Sequence, residues 1–399
     1  MKVPDDNFYR IIEPAKKNTD VKLPDKMEYA LDNPIDNFSL ASMSNPRDTA
    51  GIIVDPIIPA EIADLMLQKL TPRLERLGIT KTNLFQRKRQ SSNYQYDSKF
   101  TMIHPAEGSF VELGRTSRGT PVSLSEQFLD CGIKIALTMI LPHYASGFMG
   151  GPDIIVPGVA AETTIVKNRS FLLKMDFLQS RNLESNLLYV DSMEACKLLG
   201  SVYNLCVVPD GLGDFQTVLA GELSSVFNRA IVEYLQIHER NIERHPDIVI
   251  VSVGKLFGQD LYHAIRVLSN VANVVKKGGT IILVAPCSNG IGDSGFLDYA
   301  QKFPERKQLA AELRYRFRMG AHLNMFLFNM LEKFRIELVS TLPDLYSHDV
   351  FHLKPCRTVT EAAQKAMRVE GKTSKILIVD KGDYAMPALE STSSMQTHL

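Results

Sequence analysis

The glycine-rich segment from Leu141 to Ser170, LPHYASGFMGGPDIIVPGVAAETTIVKNRS, has the most unusual composition in the chain. It begins where an apolar run predicted as a strand ends, so we expect His143 at the carboxyl-end edge of a sheet, where α/β proteins bind ligands. Imidazole could act there as a general acid or base near neutral pH, and Gly150 and Gly151 would let the backbone approach a ligand closely. A tight turn around a structural histidine is the competing interpretation, because the segment lacks the G-x-x-x-x-G-K-[ST] pattern of a phosphate loop.

A second pair of candidates, His263 and Arg266, stands three positions apart on a helix predicted to start at Asp260. The two side chains therefore share a helix face near the helix N-terminus, where the helix dipole favours an anion, and they could bind a carboxylate together. A glycine-rich loop, PCSNGIGDSGF (286–296), leaves the next predicted strand at the same sheet edge. A solvated polar helix face is the alternative that the spacing leaves open.

Alternating strand and helix patterns are expected to position both groups. The predicted strands are AGIIVD (50–55), KFTMIH (99–104), GIKIALTMIL (132–141), DIVIVSVG (247–254) and TIILVA (280–285). Helical periodicity follows the first of these up to Gly78, and a helix over 260–277 joins the last two into a β-α-β unit. The sequence thus predicts an α/β protein of two α/β domains with mainly parallel sheets. We place an N-terminal domain at 1–243, a C-terminal domain at 244–375, and a final strand and tail at 376–399, which could pack back on the N-terminal domain.

Composition excludes several classes of protein. The 399 residues carry 45 Lys plus Arg and 45 Asp plus Glu, a formal net charge of zero, so neither a nucleic acid nor a membrane surface is an expected partner. Five scattered cysteines form neither a disulfide framework nor a metal knuckle. The chain has no long apolar stretch and no apolar leader at the N-terminus, so we expect a cytoplasmic protein. Its expected partner is a small-molecule carboxylate. A homo-oligomer is compatible with the sequence.

Several motifs in one order resemble the nickel-dependent lactate racemase family. They are the 141–168 segment, ALDNPI near Ala30, ELGRTSRGTPV (112–122), DLYHAIRVLSNVANVVKKGGTIILVAPCSNGIG and MGAHLNMFL (319–327). The resemblance implies two α/β domains with the active site in the cleft between them. It also implies a nickel pincer nucleotide that accepts a hydride from the α-carbon of a 2-hydroxy acid. His143 matches one of the two catalytic histidines of the family.

The chain departs from this family at the residues that hold the cofactor. The lysine that attaches the cofactor falls on Asp153, and the histidine that ligates nickel falls on Arg169. Asp153 has no amine for the thioamide link, and the Arg169 guanidinium has no lone pair for a metal. We therefore assign no metal ligand and leave the cofactor unknown.

The substrate positions differ as well. Asp55 keeps the acid of the family's D-x-T-R-P segment, whereas Ile58 replaces its arginine. The run Gln86-Arg87-Lys88-Arg89 replaces the segment with the second catalytic histidine. Its basic residues could replace the lost substrate arginine, although we favour a solvated charge run. The family's substrate-binding Gln and Lys fall on His263 and Arg266.

These substitutions lead to two predictions. Asp153 and Arg169 are expected to form an ion pair in the old cofactor pocket, unless both simply point to solvent. The predicted function is racemisation or epimerisation of a 2-hydroxy acid by α-hydride transfer with altered cofactor handling. The alternative is a catalytically silent paralogue that binds a carboxylate or nucleotide ligand without nickel. The candidate catalytic residues are His143, His263 and Arg266, and the candidate cofactor-binding residues are Asp55, Gly150, Gly151, Asp153 and Arg169.

Overall fold

A computed structural model describes residues 4–14, 21–43, 49–86, 100–104 and 106–390. The strands of this part of the chain are β1 Phe8–Ile12, β2 Thr49–Val54, β3 Lys81–Phe85, β4 Thr101–Ile103, β5 Phe110–Arg115, β6 Pro121–Ser125, β7 Ile133–Met139, β8 Leu141–His143, β9 Gly147–Met149, β10 Tyr203–Pro209, β11 Phe215–Glu222, β12 Glu239–Ile242, β13 Ile248–Ser252, β14 Thr280–Val284, β15 Arg335–Val339, β16 Lys354–Cys356, β17 Ile376–Val379 and β18 Met386–Leu389.

The α-helices of the same residues are α1 Leu23–Asp32, α2 Ala60–Arg76, α3 Glu126–Leu129, α4 Glu162–Arg169, α5 Leu187–Leu199, α6 Leu223–His238, α7 Leu261–Ala264, α8 Leu268–Val271, α9 Ser294–Lys302, α10 Arg306–Tyr315, α11 His322–Lys333 and α12 Val359–Glu370. Short 3₁₀ turns span Ile35–Asn37, Leu40–Met43, Pro152–Ile154, Ser170–Lys174, Phe177–Gln179 and Ile265–Val267, and a π-helical turn spans Leu345–Val350. Among these described helices, none is both long enough and apolar enough to cross a bilayer.

Two six-stranded sheets form the framework, and the predicted α/β class with mainly parallel sheets is confirmed. The first sheet has the order β11-β10-β7-β2-β3-β4, in which only the β10–β11 pair is antiparallel. The second has the order β1-β17-β13-β14-β15-β16 and is parallel throughout. Their central strands are β-branched apolar runs such as the buried IVIVS of β13, the pattern expected for strands covered on both faces.

We call the elements packed around the first sheet the first lobe and those packed around the second sheet the second lobe. The chain crosses between the lobes at both ends. Strand β1 pairs with β17 of the second sheet, although the predicted boundary assigns residues 1–243 to the N-terminal domain. Strand β18, in the predicted final segment, pairs with β12. The domain boundaries themselves stay a prediction, and the tail from residue 391 lies outside the described residues.

The helix predicted over 260–277 is present over 261–271, but as three consecutive pieces: α7, a 3₁₀ turn at Ile265–Val267 and α8. The Ser269 hydroxyl donates a hydrogen bond to the Arg266 carbonyl at 2.8 Å, a local alternative to regular helical bonding. The Asn270 amide donates to the distant Gly382 carbonyl at 2.7 Å, which anchors the segment to the rest of the lobe. The predicted N-cap is confirmed, since Asp260 accepts the His263 backbone N–H at 2.9 Å.

Candidate functional site

Four cationic or titratable side chains meet where the lobes face each other. We call Arg169, His143, Arg266 and His322 the cationic cluster. The first two belong to the first lobe and the last two to the second. The charges of Arg169 and Arg266 lower the pKa values of both histidines, in addition to the larger effect of burial, so all four groups share one electrostatic environment. The predicted residues His143, Arg169 and Arg266 are thus brought together from three separate parts of the chain.

Arg169 is the last residue of helix α4, and it is held firmly in place. The neighbouring Asn168 amide donates to Asp191 at 2.8 Å, and the Thr164 hydroxyl donates to the Pro121 carbonyl at 2.7 Å. These two residues are four positions apart, so both bonds anchor the same face of the helix. The helix C-terminus itself favours a cation. Only 7% of Arg169 is exposed, and burial lowers the pKa of its guanidinium, although arginine remains charged.

Arg266 lies between two tyrosine rings, one from each lobe. Its guanidinium carbon is 4.5 Å from the ring centre of Tyr262 and 5.8 Å from that of Tyr144. Such cation–π contacts are worth about 0.5–2 kcal/mol each and hold the guanidinium plane in a defined orientation. Within the described residues, the Nε atom of Arg266 is buried and has no hydrogen-bond partner. The 3₁₀ turn that interrupts the predicted helix is therefore the element that presents this guanidinium to the cleft.

His143 ends β8 in a short hairpin with β9, one element beyond the end of the long strand β7. Its Nδ1 accepts the Ser146 backbone N–H at 3.0 Å and lies 2.8 Å from the Ser146 hydroxyl. An Nδ1 that accepts an N–H carries the lone pair, so the proton of the neutral ring resides on Nε2. Burial and the nearby guanidinium groups keep the pKa of His143 well below its usual value. His143 is therefore a neutral hydrogen-bond donor in this arrangement.

His263 has the opposite tautomer. Its Nδ1 lies 2.7 and 2.8 Å from the two carboxylate oxygens of Asp260, which can only accept, so Nδ1 carries a proton; in the neutral ring, Nε2 then carries the lone pair. The ring stacks on Phe257 with an interplanar angle of 3° and meets Tyr262 edge to face. His263 is thus oriented by its own N-cap residue and is next to the tyrosine that supports Arg266.

His322, at the start of α11, is the fourth member of the cluster. It is 4% exposed, and burial lowers its pKa to about 3, with the charges of Arg169 and Arg266 acting in the same direction. Its ring stacks with Tyr144 at 6.5 Å between centres, and Tyr144 packs against Phe326 at 4.9 Å. These aromatic contacts join the two lobes beside the cationic cluster.

Asp153 lies in the 3₁₀ turn between β9 and α4, and its Oδ1 accepts the Gly151 backbone N–H at 3.1 Å. Burial raises its pKa to about 6, against the opposing effect of Arg169. The predicted direct ion pair is wrong: among the described residues, no nitrogen of Arg169 lies within 4.0 Å of a carboxylate oxygen. The alternative in which both side chains point to solvent also fails, since Arg169 is buried. The two charges interact at longer range.

The two glycines predicted to approach a cofactor are required by packing. Gly150 has φ +87°, and a Cβ there would lie 2.9 Å from the Met139 carbonyl oxygen. A Cβ on Gly151 would lie 2.5 Å from the ring of Phe227. Cofactor contact at these positions stays a prediction.

Asp55 follows β2, is buried, and accepts the Ile57 backbone N–H at 3.1 Å, so it shapes its own turn. No described contact joins it to the cationic cluster. The basic residues 87–89 of the predicted charge run lie outside the described residues.

The chemistry of these side chains does not fit a covalently attached nickel pincer nucleotide. Asp153 offers a hydrogen-bonded carboxylate where a linking amine is needed, and Arg169 offers a buried cation where a metal needs a lone pair. In the described part of the chain, no group of three or more His, Cys, Asp or Glu side chains is arranged to hold a metal ion. What the cluster can do is bind an anion, because it presents two fixed positive charges and a neutral N–H donor.

Tyr144 and Tyr262 were missed by the motif search. Each directly follows or precedes a predicted site histidine, and each supports the Arg266 guanidinium. The sequence shows an aromatic residue next to His143 and another next to His263. It does not show that the two rings contact the same arginine, because that contact forms only when the lobes come together.

The fold and the cationic cluster together define a two-lobed α/β protein in which arginine and histidine side chains of both lobes meet. The chain belongs to the lactate racemase family. The lactate racemase N-terminal domain matches residues 1–85 and 96–177, and the lactate racemase C-terminal domain matches residues 242–384. This confirms the resemblance drawn from the motifs.

Two lactate racemases and two solved structures are similar to this chain over most of its length. The chain is 22% identical to a lactate racemase of Thermoanaerobacterium thermosaccharolyticum over 95% of this chain and 94% of that protein. It is 23% identical to a lactate racemase of Lactiplantibacillus plantarum over 89% of each. The apoprotein structure of the T. thermosaccharolyticum lactate racemase superposes with a TM-score of 0.85 at 20% identity, covering 97% of both chains. A Thermotoga maritima protein structure gives a TM-score of 0.67 at 13% identity, covering 92% of this chain and 98% of the other.

Proposed function

We propose that this lactate racemase-like protein binds a small carboxylate anion of the 2-hydroxy acid class between its lobes, without a covalently attached nickel pincer nucleotide. The observation that carries the proposal is the pair of guanidinium groups, Arg169 and Arg266, that meet there without a carboxylate partner in the described residues. A buried cation without a partner is costly, and it is tolerated when a ligand supplies the missing charge.

The surrounding groups suit a 2-hydroxy acid. A guanidinium can bind a carboxylate with two parallel hydrogen bonds, and the tyrosine rings fix the plane of Arg266 for that geometry. The Nε2–H of His143 can donate to the ligand's hydroxyl or carboxylate oxygen. In the neutral form of His263, whose Nδ1–H is bonded to Asp260, Nε2 is the nitrogen that can accept a hydrogen bond from a hydroxyl group.

Racemisation or epimerisation of the bound acid is the alternative, and retention of His143 favours it. The His143 tautomer is unfavourable for a base, however, because Nδ1 is held by backbone N–H donors and Nε2 already carries the proton. The Asp260–His263 pair has the tautomer that a general base needs. An active enzyme would therefore use His263 rather than His143 to remove a proton.

The test combines composition, binding and exchange. The protein is made in a host that supplies the pincer cofactor, then analysed for nickel and for intact mass. Lactate binding is measured by calorimetry, and α-deuterium washout is measured across a panel of 2-hydroxy acids. We expect no cofactor mass, no stoichiometric nickel, saturable lactate binding that weakens with Arg266→Met, and no washout.

Arg229→Met is the matched control, because Arg229 is exposed and pairs with Glu233 on its own helix. It should leave lactate binding unchanged. Stoichiometric nickel, or washout that is lost with His143→Asn or His263→Asn, would overturn the binding function in favour of the enzyme. If the protein bound neither lactate nor any other anion, both the proposed binding function and the alternative enzymatic function would be overturned.

A further inference from the structure

We infer that the ligand of this cleft carries two anionic groups, so that the site selects 2-hydroxy acids with a second carboxylate or a phosphate over monocarboxylates. This inference rests on the proposed anion-binding function and specifies its ligand class. It depends on Arg169, the residue that stands at the family's nickel-ligand position.

Arg169 is more than nine-tenths buried, and the described residues supply it with no ion pair and no hydrogen bond. Its charge acts on groups of both lobes, on His143 and Tyr144 of the first lobe and on His322 of the second, so Arg169 belongs to the same cluster as these side chains. The Asn168–Asp191 and Thr164–Pro121 bonds hold the helix that carries Arg169 in place. The backbone position from which this charge extends is therefore fixed.

Arg266 supplies the second charge from the opposite lobe. Its charge acts on the same two histidines, and it lowers the pKa of Arg169, so the two guanidinium groups repel each other across the cleft. Asp153 offsets part of this repulsion, but from beyond 4.0 Å and while bonded to the Gly151 N–H. Because a single carboxylate can pair with one guanidinium in the bidentate geometry, a monoanion would leave the other unpaired.

A second anionic group on the ligand would pair with the guanidinium that a monoanion leaves unpaired. An unpaired buried charge is unfavourable, and pairing it favours the ligand that supplies the second anionic group. We therefore expect a 2-hydroxy acid with two anionic groups to bind at least ten-fold more tightly than one with a single carboxylate, a difference of about 1.4 kcal/mol.

The experiment compares lactate with malate, which is lactate with one more carboxylate, and with 3-phosphoglycerate, in which a phosphate replaces that carboxylate. Dissociation constants are measured by calorimetry at one ionic strength, because all these affinities fall with salt. We expect malate or 3-phosphoglycerate to bind at least ten-fold more tightly than lactate, and the tighter of the two identifies the second group as carboxylate or phosphate.

Arg169→Met should lower the affinity for the more tightly bound of malate and 3-phosphoglycerate at least ten-fold. It should lower the affinity for lactate less, so the preference over lactate shrinks. Arg169→Lys, which keeps the charge but not the planar fork, should retain part of the preference. Arg229→Met, which removes one exposed charge, should retain all of it. Circular dichroism of each variant establishes that the fold is intact, and Arg169→Gln provides a second charge-removing variant.

Equal affinity for lactate, malate and 3-phosphoglycerate, or a preference that survives Arg169→Met and Arg169→Gln, would overturn this inference and leave the proposed anion binding standing. Failure of all three anions to bind the unaltered protein would instead overturn the proposed function together with the inference.

Discussion

Replacing Asp153 by Asn should change the pH dependence of stability in a defined direction. Burial raises the pKa of Asp153 from 3.8 to about 6 in the folded protein, so the folded state binds this proton more tightly than the unfolded state does. The contribution of Asp153 to stability is therefore full below about pH 4 and is lost as the pH rises through about 6. At 1.36 kcal/mol per pKa unit, the ionised form costs about 3 kcal/mol at pH 8. Partial exposure of the side chain to solvent makes this an upper value.

Asp153→Asn cannot ionise and keeps an oxygen that accepts the Gly151 N–H. The free energy of unfolding of the variant minus that of the unaltered protein should therefore increase by up to about 3 kcal/mol between pH 4 and pH 8. Urea unfolding followed by circular dichroism over this range measures the difference. A difference that stays constant with pH, or one that falls toward pH 8, would refute the assignment of a raised pKa to this carboxyl.

Asp176→Asn is the matched control, because it has the opposite sign. Burial acts to raise the pKa of Asp176, but the Lys333 ammonium and the Leu178 N–H outweigh it and hold the pKa below its usual value. Asp176 therefore stabilises the fold above its unfolded pKa, and this contribution is lost as the pH falls. Its variant should be less stable than the unaltered protein at pH 7, and the two should converge in acid.

Three further predictions concern the framework of the cleft. Arg169→Met should raise the free energy of unfolding by about 2 kcal/mol in the absence of ligand, measured by urea titration, because it removes a buried unpaired charge; a loss of stability would contradict this. Gly151→Ala should cost about 3 kcal/mol, because its Cβ would meet the ring of Phe227 at 2.5 Å, whereas Gly78→Ala, with open space but φ +81°, should cost about 1 kcal/mol; equal thermal shifts would argue against the packing explanation. Asp191→Ala should cost about 3 kcal/mol and loosen helix α4, seen as faster amide exchange there, because three buried donors lose their acceptor.

The framework could largely be predicted from local patterns. The apolar runs that become β2, β7, β13 and β14 are buried strands in the structure, since continuous β-branched stretches suit a sheet covered on both faces. The pairing of β1 with β17 could not be predicted, because Phe8 lies opposite Ile376 and the register depends on contacts far apart in the chain. The break in the 260–277 helix was missed for a similar reason, since the Asn270 bond to Gly382 leaves no local periodic signal.

At the site, residue types were predictable and distances were not. The resemblance implied that Asp153 and Arg169 stand where the family has a tethering lysine and a metal-binding histidine, and this suggested two charges that close on each other. The structure keeps them apart because the Gly151 N–H holds the carboxylate and helix α4 holds the guanidinium. Which ring nitrogen of His143 carries the proton likewise depends on the Ser146 backbone N–H, which composition cannot indicate.

The position of β1 at the margin of the second sheet restricts how the molecule can be divided. A fragment that begins at residue 244 would lack β1, and the open hydrogen-bonding groups of β17 would then be available to strands of other molecules. The complementary fragment, ending at residue 243, would carry β1 without its partner and β12 without β18. Separate expression of the halves would therefore favour aggregation, because the first and last described strands tie one half of the molecule to the other.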